Sequence, residues 1–163
     1  MDLYILRHGE SGQSLADAKR NNERSLTTAG RKEVEEIAES IERLGVEFDE
    51  IAFSPLPRAK ETARIVAKRQ KRAKLQMWDE LRPEGDRRAT FSRLARMGHD
   101  AEILIVGHEP YLTGIVAELM GARPGAILLK KAGLVRIRVT SLSPGAKGEL
   151  RWLLSPRVLK AIS

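Results

Sequence analysis

Ile103-Leu104-Ile105-Val106 constrains the fold of this chain more than any other stretch. A strand covered on one face alternates apolar and polar residues, whereas a strand covered on both is apolar throughout. The run therefore reads as a central strand with helices on either side. Leu3-Tyr4-Ile5-Leu6 reads as a second buried strand, and Ile51-Ala52-Phe53 and Leu75-Gln76-Met77 as shorter ones. Helical patterns lie between them. Val34, Ile37, Ala38, Ile41 and Leu44 recur at helical spacing, with Thr27 as N-cap and Gly45 as stop. Pro57 opens a helix to about Arg69. A loop from Trp78 to Asp86 leads to a helix ending near Gly98. Pro110 opens another, with Leu112, Ile115, Val116 and Leu119 on one face and Gly121 behind it. The stretch from the first strand to about Leu26 is polar and reads as loop. Two late strands, near Leu134–Val139 and Leu150–Leu154, carry Gly145 and Gly148 between them and form a hairpin at the sheet edge. This alternation predicts a three-layer α/β/α fold with a mostly parallel central sheet, as one domain over residues 1–163.

Composition narrows the chemistry. The chain has no cysteine, which excludes disulfides and thiol catalysis. No apolar run approaches the ~18 residues of a membrane span, and no secretory signal is visible at Met1-Asp2-Leu3, so a cytoplasmic protein without a membrane partner is expected. Twenty-nine basic against 22 acidic residues give a net charge of +7, which favours anionic partners. Nucleic acid is not expected, because aromatic residues make up only 4% and no stacking motif accompanies the charge. The basic run Lys68, Arg69, Lys71, Arg72, Lys74 is read as a solvated surface, with docking of an acidic phosphoprotein as the functional alternative.

In open α/β sheets, ligands bind outside the carboxyl ends of the strands. Three strand ends carry matching chemistry. Arg7-His8-Gly9 follows the first, Ser54-Pro55-Leu56-Pro57-Arg58 the second, and Gly107-His108-Glu109-Pro110 the central one. Two of the three histidines and two arginines thus leave one edge, although about a hundred residues separate His8 from His108. Arg58 and His108 also lie at helix starts, which favour anions. An imidazole can attack phosphorus, and guanidinium groups can hold the oxygens. No His-x-His or HExxH spacing appears and no aspartate sits near either strand end, so no metal site is expected. On these grounds alone His8 and His108 could exchange roles.

Arg7-His8-Gly9-Glu10 resembles the signature of the histidine phosphatase superfamily, the phosphoglycerate mutase-like enzymes. Ser54-Pro55-x-x-Arg58-Ala59-x-x-Thr62-Ala63 is similar to its second motif and Gly107-His108 to its third. The small size is similar to that of the SixA-type phosphohistidine phosphatases. Arg24-Ser25-Leu26-Thr27-x-x-Gly30 resembles their Arg-Pro-Leu-Thr-x-x-Gly element, with serine in place of proline, and Glu80-Leu81-x-Pro83-x-Gly85-Asp86 resembles a further one. The resemblance implies a metal- and cofactor-independent phosphatase in which His8 becomes transiently phosphorylated. Arg7, Arg58 and His108 would bind phosphoryl oxygens, and Gly9 and Ser14 would contribute to the substrate pocket. The other ring nitrogen of His8 needs an acceptor, such as the Gly9 carbonyl. The charge on His108 is open at this point. The implied substrate is a phosphohistidine protein, such as a histidine phosphotransfer domain. A small phosphate ester is the alternative, and a non-catalytic phosphate-binding module is a third reading. An ester would want a general acid. Glu80 is the first candidate for a proton donor, ahead of Asp86, Glu84 and Glu10. Trp78 and Trp152 are read as packing, and His99 as an ordinary loop residue.

Overall fold

The computed structural model describes residues 1–162. Six strands form one sheet: β1 (Asp2–Arg7), β2 (Glu50–Phe53), β3 (Lys74–Met77), β4 (Glu102–Gly107), β5 (Leu134–Ser141) and β6 (Lys147–Leu154), in the order β3-β2-β4-β1-β5-β6. The first four in that order run parallel. β5 pairs antiparallel with β1, and β6 antiparallel with β5 as an edge hairpin. The helices are α1 (Ala18–Asn22), α2 (Thr28–Arg43), α3 (Pro57–Ala67), α4 (Arg87–Leu94), α5 (Tyr111–Met120) and α6 (Pro156–Lys160). The expected three-layer arrangement is present.

Alternation along the buried strands builds two cores. Leu104 and Val106 of β4, with Tyr4 and Leu6 of β1, face α2, α3 and α6, where Val34, Ile37, Ala63 and Leu159 cover them. Ile103 and Ile105, with Leu3 and Ile5, face α4 and α5, where Leu94, Leu112 and Ile115 cover them. Pleating turns successive residues to opposite faces, so a continuous apolar run serves both layers. Thr27 caps α2, its hydroxyl accepting from Gly30 N–H, and the chain leaves that helix through Gly45 at φ 68°. Trp78 is buried, and Trp152 lies edge-on to Tyr4 at 5.9 Å, so both are packing residues.

Several elements depart from expectation. The polar stretch before Leu26 contains α1, which Asp17 caps and which buries no residue, so it has no apolar stripe to be read. A 3-10 turn at Asp79–Leu81 lies inside the expected loop. The helix after Asp86 stops at Leu94, and its continuation tightens into i→i+3 bonds from Arg96 to Arg93 and from Met97 to Leu94. Gly148 sits inside β6 rather than between the strands, at a point where a Cβ would come within 2.6 Å of Ile137 Cγ2. α6 leaves no mark in the sequence pattern. Its five residues are too few to show a period, although Leu159 plugs the core beside α2.

Candidate active site

Sheet register brings the three strand ends level. Arg7 is paired with Gly107, His8 N–H donates to Gly107 O at 3.1 Å, and Ser54 N–H donates to Val106 O at 3.0 Å. Because β4 lies between β1 and β2, His108 emerges between His8 and Arg58. The four expected residues converge: Arg7, His8, Arg58 and His108 line one cavity of about 190 Å³. The imidazole centroids of His8 and His108 are 5.1 Å apart. Ser14 is also on the wall; Gly9 is not, but its backbone shapes the nucleophile loop.

His8 is 5% exposed, and its Nδ1 lies 2.7 Å from the Gly9 carbonyl oxygen. A carbonyl only accepts, so Nδ1 carries the proton and Nε2 keeps its lone pair. Burial pushes the His8 pKa down to about 3; the Gly9 carbonyl works against this, while Arg58, Arg7 and Lys131 reinforce it. His108 is lowered to about 2 by burial, then by His8 and the arginines. Both shifts favour the neutral ring near pH 7. His108 Nε2 is 2.8 Å from Ser54 Oγ.

The arginines are anchored and still have donors to offer. Arg7 Nη1 donates to Leu129 O at 2.9 Å and Arg58 Nη1 to Asn21 O at 3.1 Å. The Nε of each is buried without a partner. Burial, then the charge of Arg24, lowers the Arg58 pKa to about 10, which leaves it cationic at neutral pH. Gly9 N–H donates to Thr62 Oγ1, and that hydroxyl donates to Arg58 O. The nucleophile loop and the start of α3 are thereby tied through one side chain.

Other residues on the wall were not picked out from sequence. Lys131 reaches the cavity from the segment before β5 and meets both Glu10 carboxylate oxygens at 2.9 Å. That bond, with support from the Gly12 and Ser11 amides, lowers the Glu10 pKa against the effect of its burial. Arg24 donates to Ser11 O and Oγ and to Gly12 O, so it orders the loop after the signature. No period or motif marks Lys131 or Asn21. Arg24 carried a signal only as the first residue of its motif.

Glu80 does not line the cavity. Its carboxylate is 2.8 Å from Arg93, which is stacked over Trp78. The 3-10 turn directs it toward α4, and a loop position read from sequence gives no such direction. Glu84 and Asp86 are also absent from the wall, and Asp86 caps α4. Glu109 is the carboxylate that lines the cavity, and it accepts from Thr113 N–H and Oγ1. Among the described residues, no group of three or more histidine or acidic side chains is placed to hold a metal ion, and no helix is long and apolar enough to cross a membrane.

Comparison with known proteins identifies relatives of this chain. Residues 3–83 match the family described as histidine phosphatase superfamily (branch 1). An uncharacterized protein of Picosynechococcus is 34% identical over 98% of this chain and 99% of its own length. The phosphohistidine phosphatase SixA of Escherichia coli K12 is 28% identical over 98% of this chain and 97% of its own. Among solved structures, the protein histidine phosphatase SixA complexed with tungstate superposes with a TM-score of 0.82 at 26% identity, covering 96% of this chain and 98% of that one.

Proposed function

The chain belongs to the histidine phosphatase superfamily and is a phosphatase, and from that premise we propose that it removes phosphoryl groups from phosphohistidine on an acceptor protein, through a phosphohistidine intermediate on His8. The observation that carries this reading is the His8–Gly9 hydrogen bond, which leaves Nε2 unprotonated beside Arg7, Arg58 and His108.

In the first step the Nε2 lone pair forms a bond to phosphorus while the substrate P–N bond breaks; its electron pair goes to the substrate ring, which carries a proton on its other nitrogen and so leaves as neutral imidazole. The two guanidinium groups and His108 meet the charge on the equatorial oxygens. The ring becomes cationic as Nε2 is phosphorylated, and the Gly9 carbonyl stabilises the proton held on Nδ1. In the second step water attacks phosphorus, phosphate departs, and Nε2 regains its lone pair. Cationic side chains supply the neutralisation, so the proposed route uses no metal or cofactor.

The leaving group favours phosphohistidine over an alkyl ester. An alkoxide needs a proton donor, a contribution of roughly a hundredfold or more. Glu80 is held by Arg93, and Glu109 by Thr113. An imidazole leaving group is less demanding, so a site without a free acid suits a phosphoramidate. Relatives support the substrate class: SixA is named as a phosphohistidine phosphatase, and its structure was obtained with tungstate, a tetrahedral oxyanion like phosphate. Comparison of kcat/KM on a phosphorylated histidine phosphotransfer domain with that on a panel of phosphorylated metabolites tests the proposal. The phosphohistidine protein is expected to be the faster substrate, and His8→Ala to abolish turnover and the acid-labile phosphoenzyme. Faster turnover of a metabolite would transfer the assignment to small esters. A phosphoenzyme that persists in His8→Ala but not in His108→Ala would reverse the two histidine roles.

A further inference from the structure

We propose that Ser54 is a positioning residue that fixes the tautomer of His108, its hydroxyl donating to Nε2 so that the ring proton stays on Nδ1 as a donor for a phosphoryl oxygen. The inference rests on the reading of the cavity as a phosphoryl site.

The 2.8 Å contact between His108 Nε2 and Ser54 Oγ admits either atom as donor. A hydrogen-bond inventory decides between them. A hydroxyl has one hydrogen to give and two lone pairs. Leu56 N–H approaches Ser54 Oγ at 3.4 Å and uses a lone pair. Ser54 is fully buried, and among the described residues its hydroxyl hydrogen has no acceptor other than His108 Nε2. If Nε2 held the proton, that hydroxyl hydrogen would be stranded in the interior, at a cost comparable to a lost hydrogen bond. His108 would also present a bare lone pair from Nδ1, which repels an oxyanion. With the hydroxyl as donor, Ser54 is satisfied and the proton sits on Nδ1. That atom is buried and unpartnered, in a residue that lines the cavity. It is a donor without an acceptor until an oxyanion arrives.

His8 and His108 then hold the same tautomer for opposite purposes. In His8 the Nδ1 proton is given to Gly9 O and the lone pair of Nε2 is left for phosphorus. In His108 the Nε2 lone pair is given to Ser54 and the Nδ1 proton is left for oxygen. A neutral ring suffices for this, which suits a site already crowded with guanidinium charge.

Ring nitrogen-15 NMR of the ligand-free protein at pH 7 reads the tautomer directly. Only three histidines are present, so His99→Gln and His8→Gln variants assign the signals. The expected result is a pyrrole-type Nδ1 and a pyridine-type Nε2 for His108. In Ser54→Ala the opposite tautomer gains population and kcat/KM on an aryl phosphate falls about tenfold, the loss of one hydrogen bond. Ser54→Thr, which keeps the hydroxyl, restores the tautomer. Protonation of Nε2 in the wild-type protein, alone or together with Nδ1, overturns the proposal, as does an unchanged tautomer in Ser54→Ala. The signals are read without substrate, so failure of the phosphohistidine assignment would show in turnover and leave them unaffected.

Discussion

At the scale of the residue, the site depends on histidines that are buried and uncharged. In an unfolded chain His8 and His108 titrate near the ordinary imidazole value of 6.5, whereas in the native pocket burial holds them at about 3 and about 2. The unfolded state therefore binds more protons between those values, and stability rises with pH across that window. Their contribution is complete above about 6.5 and is lost as pH falls toward the native values. We expect urea midpoints to drop as the wild-type protein is acidified from pH 7 to pH 4, and to drop less in a His8→Gln/His108→Gln variant, which cannot charge these positions. Arg7, His8, Arg58 and His108 were legible in the sequence because strand ends in an α/β sheet share one edge. Lys131 and Asn21 were not, since they arrive from segments with no periodicity. Glu80 shows the remaining gap: a loop residue can be located from sequence, but the partner that turns it, Arg93, lies on a helix whose packing has first to be known.

At the scale of the element, α2 acts as a wall behind the nucleophile loop. A Cβ on Gly30 would lie 2.2 Å from the Glu10 carbonyl oxygen, and one on Gly9 would lie 2.6 Å from Val34 Cγ2. Helix and loop therefore approach at a distance that only glycine permits. Gly30→Ala should destabilise the protein by about 1–3 kcal/mol through overpacking. It should also lower kcat, because the displaced loop carries His8. Denaturation curves together with steady-state rates check this, and a loss of stability with unchanged kcat would mean that α2 only supports the loop. The helix itself was readable from its apolar period and caps. Its contact with the signature was not, because glycine marks a close approach without naming what approaches. α1 and α6 stayed hidden for a simpler reason: five residues do not complete enough turns to show a stripe.

At the scale of the whole molecule, charge and topology act together. The chain carries a net charge of +7, and Arg7, Arg24, Arg58 and Lys131 are on the wall of the cavity. Long-range attraction of this kind is screened within about 8 Å at physiological salt. Rates on an acidic phosphoprotein should fall as salt is raised, and more steeply than rates on a small aryl phosphate, since the larger partner engages more of the field. Parallel slopes in a salt series would remove any role for the surrounding surface. The layered fold was legible because β4 is apolar from Ile103 to Val106, and it also determines the dimensions of the site. His8 leaves β1 and Arg58 follows β2, with β4 between them, so two strand spacings, roughly 10 Å, separate the strands that deliver nucleophile and clamp. Thr62 bridges the two ends, accepting from Gly9 and donating to the Arg58 carbonyl. The opening is thus gauged by the lattice of the sheet and locked by one hydroxyl. It works as a fixed caliper, its setting held by the strand order behind it before any ligand arrives.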